Sequence, residues 1–235
     1  MPANPIQPGP PAAVLRRAYA LLREHYGHQH WWPGDTPFEV CVGAILTQNT
    51  AWSNVERAIN RLKAARVLSP DRLYTLPEGE LAELIRPAGY YNVKARRLRA
   101  FLRVLMEPCQ GRLDRLFAGE TAAVRARLLA IHGIGPETAD SLLLYAGGHL
   151  SFVIDAYTKR LFERHGWAEA GVAYAPLQTQ CASALKDKPA AERLDYWQDY
   201  HAQIVRVSKD FCRARQPRCS ECPLRSLLPS RVEAG

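Results

Sequence analysis

The sequence predicts an all-α protein of about ten short helices, on three observations. Apolar residues recur at the spacing of one helix face along most of the chain, as at Leu15, Ala18 and Leu22. Capping residues and prolines precede several of these segments, as in Thr36-Pro37-Phe38-Glu39, which predicts a helix running to about Leu46. No segment alternates apolar and polar residues between hairpin turns, which is the pattern of a half-buried strand.

The same signals place the other helices and the domain boundaries. Ser69-Pro70-Asp71 and Thr121 predict two further helix starts. Periodicity predicts helices near 81–85 and over 93–105, 153–167, 173–185 and 190–211. We expect a loose proline-rich tail over 1–11, a helical core over 12–211 with a helix pair at about 121–146, a cysteine-rich loop over 212–228 and a tail over 229–235. Because no glycine-serine linker divides the core, any two lobes should be interleaved.

Composition and charge narrow the class of protein. The longest apolar runs are about seven residues, as over Val40–Leu46, whereas a spanning helix needs about 20. The N-terminus lacks the layout of a signal peptide, so we expect a protein that is not secreted and does not bind membranes. We also expect a monomer of the bacterial cytoplasm that associates with the nucleoid. Lys and Arg number 31 against 23 Asp and Glu, and the net charge of +8 suits a polyanion. Basic residues crowd 94–103 and 206–225, where a solvated helix face is the alternative.

The cysteines indicate a metal site. Three of the six, Cys212, Cys219 and Cys222, fall within eleven residues. In a cytosolic protein such clustering favours a metal or cluster site over a disulfide framework.

A glycine-rich turn lies between two predicted helices. One helix should end at Ile131, Gly133 and Gly135 turn the chain, and Pro136 starts the next helix. Glycines allow positive φ and leave backbone N–H groups uncovered, and with a helix N-terminus these groups can seat a phosphate. Taken alone, the pattern also fits an ordinary connection between two helices.

An apolar run, Phe152-Val153-Ile154, follows this turn and delivers Asp155 at a helix start. The combination resembles the helix-hairpin-helix DNA glycosylase superfamily, which includes endonuclease III, and the resemblance extends from about residue 11 to 228. It implies two helical lobes that flank a DNA-binding cleft. It also implies that Asp155 is catalytic and that the hairpin, including Gly133, Gly135 and Thr138, holds the backbone of damaged double-stranded DNA.

Further motifs follow the order of the family. Gln48, in Ile45-Leu46-Thr47-Gln48-Asn49-Thr50, stands where a family glutamine fills the gap left by an extruded base, and 92–97 resembles the family's basic helix start. The Cys212-x6-Cys219-x2-Cys222 spacing matches the first three ligands of the family's iron–sulfur loop and implies a [4Fe-4S] cluster. In the family this loop positions basic residues beside DNA, here Arg213, Arg215 and Arg218.

Two positions depart from the family pattern. Glu137 stands where the lyase enzymes have a nucleophilic lysine, and a carboxylate cannot form a Schiff base with the sugar. Leu228 stands where the fourth cluster cysteine belongs. This leaves a cluster with a substitute ligand, a three-iron cluster, a Cys3His zinc site or no metal as alternatives. The substitute ligands considered are Asp210, His201, Cys181 and solvent.

An aromatic motif indicates the substrate. Trp31-Trp32-Pro33, with Trp52 after the glutamine segment and Glu137 in the hairpin, resembles the bacterial 3-methyladenine DNA glycosylase III group. The resemblance implies that Trp31 and Trp52 sandwich the flipped base and that Glu137 lies at the pocket edge. Indole faces stabilise cationic alkylated purines. The alternatives are core packing of the tryptophans and helix capping by Glu137.

The sequence therefore predicts a monofunctional glycosylase that flips out alkylated purines such as 3-methyladenine and hydrolyses their bond to the sugar. One rival is an endonuclease III-like glycosylase and lyase for oxidised pyrimidines, against which Glu137 and the tryptophan motif count. A second rival is a non-catalytic DNA-binding module, which has no need of an acid such as Asp155.

Overall fold

The computed structural model describes residues 11–31 and 34–229, and in these residues all regular secondary structure is helical. The all-α prediction is therefore confirmed. The chain forms two compact units. Unit 1 joins the residues up to Trp31 with those from Phe152 onward, and unit 2 runs from Trp32 to Ser151. No helix in the described part of the chain is long and apolar enough to cross a membrane.

Twelve α-helices are present in the described residues. They are α1 (Ala12–Tyr26), α2 (Pro37–Leu46), α3 (Trp52–Ala64), α4 (Pro70–Thr75), α5 (Glu78–Leu84), α6 (Tyr91–Met106), α7 (Leu113–Leu116), α8 (Thr121–Leu129), α9 (Pro136–Ser141), α10 (Ala156–Arg164), α11 (Tyr174–Ala184) and α12 (Ala190–Asp210). A π-helical turn over Leu142–Ala146 continues α9, and short 3₁₀ turns occur at Arg86–Ala88, Cys219–Glu221 and Arg225–Leu227.

Helix α2 is the central element of unit 2. Every residue after Pro37 is buried, because α3, α6, α9 and the π-helical turn pack around it. The predicted capping arrangement is confirmed: Thr36 is extended, and its Oγ1 accepts a hydrogen bond of 3.2 Å from the Glu39 N–H. A helix buried on all sides has no polar face, which explains why its sequence is apolar except for Glu39, whose buried carboxylate is ion-paired with Lys63 at 2.7 Å.

Helix α12 is the corresponding element of unit 1, and it packs against α1 and α10. Helix α10 begins later than the sequence periodicity predicts, at Ala156 instead of Val153. The apolar residues 152–154 do not belong to the helix; they are buried ahead of it, and Asp155 is its N-cap. A capping aspartate ends the extended segment and starts the helix at the same place.

The capping of α2 can be tested against a matched site. Thr36→Ala should lower the free energy of unfolding by about 1 kcal/mol, because the Glu39 N–H loses its side-chain acceptor. Ser69 precedes α4 in a similar extended conformation but makes no capping hydrogen bond, so Ser69→Ala should change stability by roughly 0.5 kcal/mol or less. Urea denaturation of the two variants measures both values. Equal losses would show that the capping hydrogen bond is not the cause.

Candidate active site

Asp155 is held by the first turn of α10. Its Oδ1 accepts hydrogen bonds from the Thr158 backbone N–H at 2.7 Å and from the Thr158 hydroxyl at 2.8 Å. The residue is 8% exposed. Because Oδ1 is saturated by these donors, Oδ2 is the oxygen with capacity for another partner.

His201, on α12, is that partner. Its Nε2 lies 3.4 Å from Asp155 Oδ2, and both side chains are buried. Burial raises the pKa of Asp155, but the contact with His201, followed by the two bonds from Thr158, outweighs this effect, and the pKa is lowered from its usual range. The carboxylate is therefore ionised at neutral pH despite its burial.

Trp31 is a second neighbour of His201. The two rings are stacked, with centroids 6.0 Å apart and an interplanar angle of 23°. Asp199, two residues before His201, fixes the segment that carries Trp31, because its Oδ1 accepts the Gln29 backbone N–H at 2.8 Å. Unit 1 thus brings Asp155, His201 and Trp31 together. Trp32 and Pro33, also predicted for the base pocket, lie outside the described residues.

The hairpin of unit 2 joins α8 to α9. Gly133 has a φ of +84°, and the Arg97 side chain packs so closely that a Cβ at position 133 would lie 2.3 Å from Arg97 Cγ. Gly135 does not adopt the positive φ that the sequence analysis allowed for; its φ is −92°, and it is the extended N-cap of α9. Only the first glycine is therefore required by backbone conformation.

Gln48, just after α2, is bonded to this hairpin. Its Nε2 donates to the Gly133 carbonyl at 3.0 Å and to Thr138 Oγ1 at 2.9 Å, and its Oε1 accepts a hydrogen bond from Arg97. Thr138 is buried, so its hydroxyl supports the hairpin from within. Gln48 and Thr138 are thus brought together with Gly133, a contact that the sequence analysis did not predict.

The remaining pocket candidates of unit 2 differ in burial. Trp52 opens α3, is half-buried against the core, donates from Nε1 to Glu56 Oε1 at 2.9 Å and lies against Gly43. Glu137 is exposed in the first turn of α9, where a carboxylate is favourable. Trp52 therefore has a packing role in any case.

The cysteine-rich loop of unit 1 encloses a small cavity. Its lining is formed by Arg164, His165, Phe211, Cys212, Cys219, Cys222 and Leu228. None of the three protein ligands considered from the sequence lines it. Asp210 accepts hydrogen bonds from Tyr26 and Arg206, His201 faces Asp155, and Cys181 is buried in α11.

His165 is the cavity residue that the sequence analysis missed. It follows α10, far from the cysteines in the chain, so spacing near the loop could not indicate it. In the described part of the chain, no three Cys, His, Asp or Glu side chains stand in metal-holding geometry. Burial raises the pKa of Cys222 to about 11, so metal binding there must displace a proton.

The loop arginines lie at the surface. Arg213 and Arg215 are exposed, whereas Arg218 is ion-paired with Glu221 and lies over the Phe211 ring at 5.5 Å. Arg213 and Arg215 are therefore more available to a polyanion than Arg218, because Arg218 would first have to break its ion pair with Glu221.

Comparison with known proteins agrees with these features. The model of the HhH-GPD superfamily base excision DNA repair protein matches residues 42–186. A candidate DNA repair glycosylase of Methanocaldococcus jannaschii is 43% identical over 220 residues, which cover 93% of this chain and 97% of that protein.

Solved structures share the fold. The H. pylori 3-methyladenine DNA glycosylase bound to 1,N6-ethenoadenine has a TM-score of 0.72 at 27% identity, covering 85% of this chain and 97% of its own. A non-covalent endonuclease III–DNA complex has a TM-score of 0.76 at 21% identity, covering 92% and 94%. These likenesses define a helix-hairpin-helix glycosylase fold. The chain belongs to the HhH-GPD superfamily of base excision DNA repair proteins, and it is a DNA glycosylase of that superfamily, which confirms the resemblance seen in its motifs.

The contact between His201 and Asp155 has a measurable consequence. His201→Gln should raise the pKa of Asp155, because burial then acts against a weaker opposing interaction. Because the pKa of Asp155 is lower in the folded than in the unfolded protein, its ionised form stabilises the fold at neutral pH, and this stabilisation is lost as the pH falls through the folded-state pKa. In the His201→Gln variant the loss should therefore begin at a higher pH. A ¹³C NMR titration of labelled Asp and acid unfolding measure the two effects. His132→Gln, at an exposed histidine, is the control, and identical curves for the two variants would contradict the assignment.

Proposed function

We propose that the protein is a monofunctional glycosylase that removes alkylated purines such as 3-methyladenine from double-stranded DNA. The observation that carries the proposal is the cluster in unit 1, where an ionised carboxylate, Asp155, shares His201 with the indole of Trp31. A carboxylate stabilises the positive charge that develops on the sugar during the reaction, and an electron-rich ring stabilises a positive charge on the base.

Asp155 has two tasks in this reaction. Its Oδ2 can stabilise the oxocarbenium-like sugar or take the proton of the attacking water, while Oδ1 stays bonded to Thr158. His201 is a positioning residue, because it lowers the pKa of Asp155 and supports the Trp31 ring. An alkylated purine such as 3-methyladenine is cationic while it is attached to the sugar and leaves readily, so its removal needs no strong general acid.

The base pocket is proposed from Trp31 and Trp52, with Trp32 and Pro33 adjoining and Glu137 at the edge. Stacking on an aromatic ring contributes about 1–3 kcal/mol per base and tolerates different bases. Preference for a cation comes from the ring quadrupole. The H. pylori relative, a 3-methyladenine glycosylase with a purine adduct bound, supports the proposal.

The hairpin is proposed to hold the DNA backbone, through Gly133, Gly135 and Thr138, with Arg213, Arg215 and Arg218 as further phosphate contacts. Gln48 is proposed to fill the gap left by the flipped base. That movement requires its bonds to Gly133 and Thr138 to be exchanged for bonds to DNA. Insertion of Gln48 would thereby couple base flipping to the hairpin.

We further propose that Cys212, Cys219 and Cys222 hold a structural metal centre, with a [4Fe-4S] cluster as the first candidate because the family spacing persists. The three thiols line one cavity, which supports the proposal, although their side chains must turn toward a common centre. When bound, such a centre would cross-link the cysteine-rich loop to the segment that directly follows α12.

The proposed function is tested by base release from a substrate panel. Duplexes carrying 3-methyladenine, 1,N6-ethenoadenine or an oxidised pyrimidine should lose the alkylated purines, and borohydride should trap little covalent adduct because Glu137 replaces the lyase lysine. Asp155→Asn should abolish release but keep DNA binding and stability, since Asn also caps helices well. Glu192→Gln, at an exposed acid of the same unit, is the control.

Three outcomes would contradict the proposal. Efficient release of oxidised pyrimidine with trapping would favour the endonuclease III-like alternative. Loss of that trapping on substitution of Lys159, which lies one helical turn after Asp155, would identify this lysine as the nucleophile. DNA binding without release of any base would favour the non-catalytic alternative. Full activity of Asp155→Asn would remove Asp155 from the mechanism.

The stacking roles of the tryptophans are tested separately from their packing. Trp31→Ala should lower release of alkylated base roughly ten- to hundredfold, from the stacking lost, with a small effect on stability because the ring is only half-buried. Trp52→Ala should lower both activity and stability, because the ring also packs on the core. Activity per folded molecule, corrected by denaturation curves, separates the two effects. Trp52→Phe keeps an aromatic ring and should retain most of the activity, whereas unchanged activity per folded Trp52→Ala molecule would exclude Trp52 from the pocket.

A further inference from the structure

A buried histidine faces the cysteine cavity. His165 directly follows the last residue of α10 and is 5% exposed. It lines the same cavity as Cys212, Cys219 and Cys222, and so does Leu228, at the position where the family has a fourth cysteine. The cavity therefore presents three thiols and one imidazole, and the leucine cannot ligate.

The tautomer of this ring can be assigned from its hydrogen bond. Nδ1 of His165 lies 2.8 Å from the Leu161 carbonyl oxygen, which can only accept, so Nδ1 carries the hydrogen. In the neutral ring Nε2 then has the free lone pair, and within the described residues no partner lies in hydrogen-bond geometry to this buried atom, although the Leu224 backbone also interacts with the ring and acts to raise its pKa. Trp167 packs against the ring, with centroids 4.6 Å apart, and so limits its rotation.

We propose that Nε2 of His165 is the fourth protein ligand of the metal centre held by Cys212, Cys219 and Cys222. The inference rests on the proposed metal centre and assigns the ligand that replaces the family's fourth cysteine. A ligating histidine commonly anchors its other ring nitrogen on a carbonyl, which fixes the tautomer and orientation, as the Leu161 bond does here. A buried ring nitrogen without a hydrogen bond lowers the stability of the fold, and binding a metal would remove that cost.

The surrounding charges suit a ligand set with three thiolates. Arg164 donates to Cys212 Sγ at 3.0 Å, and Arg160 donates to the Cys212 carbonyl at 2.7 Å. A neutral imidazole in place of a thiolate makes the centre less negative by one charge. Cys3His sets bind zinc, and histidine also replaces cysteine in some iron–sulfur centres, where it raises the reduction potential.

The size of the cavity bears on which metal is held. Its volume is about 10 Å³, which is room for one ion-sized body. A four-iron cluster therefore requires the loop to open, and a single zinc ion requires less movement. The ligand assignment is common to the two cases, and metal analysis of the purified protein distinguishes them.

The test compares metal retention in full-length variants purified without oxygen. His165→Ala should lose iron or zinc to a chelator more readily than the parent protein, by more than the roughly 10–100-fold typical of losing an outer-shell partner. Adding Leu228→Cys to His165→Ala should restore retention, because it supplies the family's fourth thiolate. Trp167→Phe, which alters the packing on His165 but no ligand, is the control.

A spectroscopic measurement detects the bond directly. In protein labelled with ¹⁵N-histidine, the reduced cluster should show nitrogen hyperfine coupling, or bound zinc should show one Zn–N distance of about 2.0–2.1 Å beside three Zn–S distances of about 2.3 Å. The nitrogen signal should vanish in the Leu228→Cys/His165→Ala protein.

The outcomes separate the inference from the proposals on which it rests. Metal retained equally by His165→Ala, with no nitrogen signal in the parent, would overturn the ligand assignment alone. A parent protein that binds neither iron nor zinc would overturn the metal centre as well. Base release from alkylated DNA is measured independently, so neither result decides the catalytic proposal.

Discussion

The capping of α10 by Asp155 is the interaction on which unit 1 depends. The same carboxylate starts the helix and is the catalytic candidate, and its two bonds to Thr158 fix one oxygen while the other faces His201. The helix has nine residues, so its two ends are only about 13 Å apart. Its far end carries Arg160, Arg164 and His165 to the cysteine loop. One short helix therefore joins the acid to the proposed metal centre, and a metal bound there would fix the helix from its other end.

The burial of Asp155 affects both the protonation state of the carboxylate and its effect on a developing positive charge. An isolated buried carboxylate would become protonated, and a protonated acid stabilises neither an oxocarbenium-like sugar nor a water proton. Thr158 and His201 oppose the effect of burial and keep the group ionised. Buried placement in turn strengthens the field that the carboxylate exerts on a developing positive charge, because little water screens it. Burial alone would destabilise the ionised residue, and Thr158 and His201 offset that cost, so that the same burial can make the carboxylate effective.

Much of the fold and part of the site could be predicted from the sequence. Thr36, Pro37 and the apolar residues after them predict α2, because capping and proline act locally. The order of the hairpin and Asp155 predicts the family. The basic segment over 94–103 was harder to interpret, since charge alone does not say where a side chain points. Lys94 is buried and donates to the Ala88 carbonyl at 2.7 Å, and Arg99 donates to the Leu76 carbonyl at 2.7 Å. His201 and His165 were missed as partners because their contacts join residues far apart in the chain.

The hairpin, which we propose binds DNA, illustrates how one residue can hold such an element in place. Gly133 lacks a Cβ, so the Arg97 side chain can lie on its backbone, and Arg97 in turn donates to Gln48. Gln48 completes the set by donating to the Gly133 carbonyl and to Thr138. Every polar group of the Gln48 amide is thus engaged within unit 2 before any DNA binds. If Gln48 enters the duplex, Arg97 loses Gln48 Oε1 as a hydrogen-bond acceptor. A phosphate oxygen would be a good replacement acceptor, because charge-assisted hydrogen bonds to phosphate are strong. The same residue can therefore keep the hairpin ordered in the free protein and release a cation toward the DNA backbone when the base is flipped.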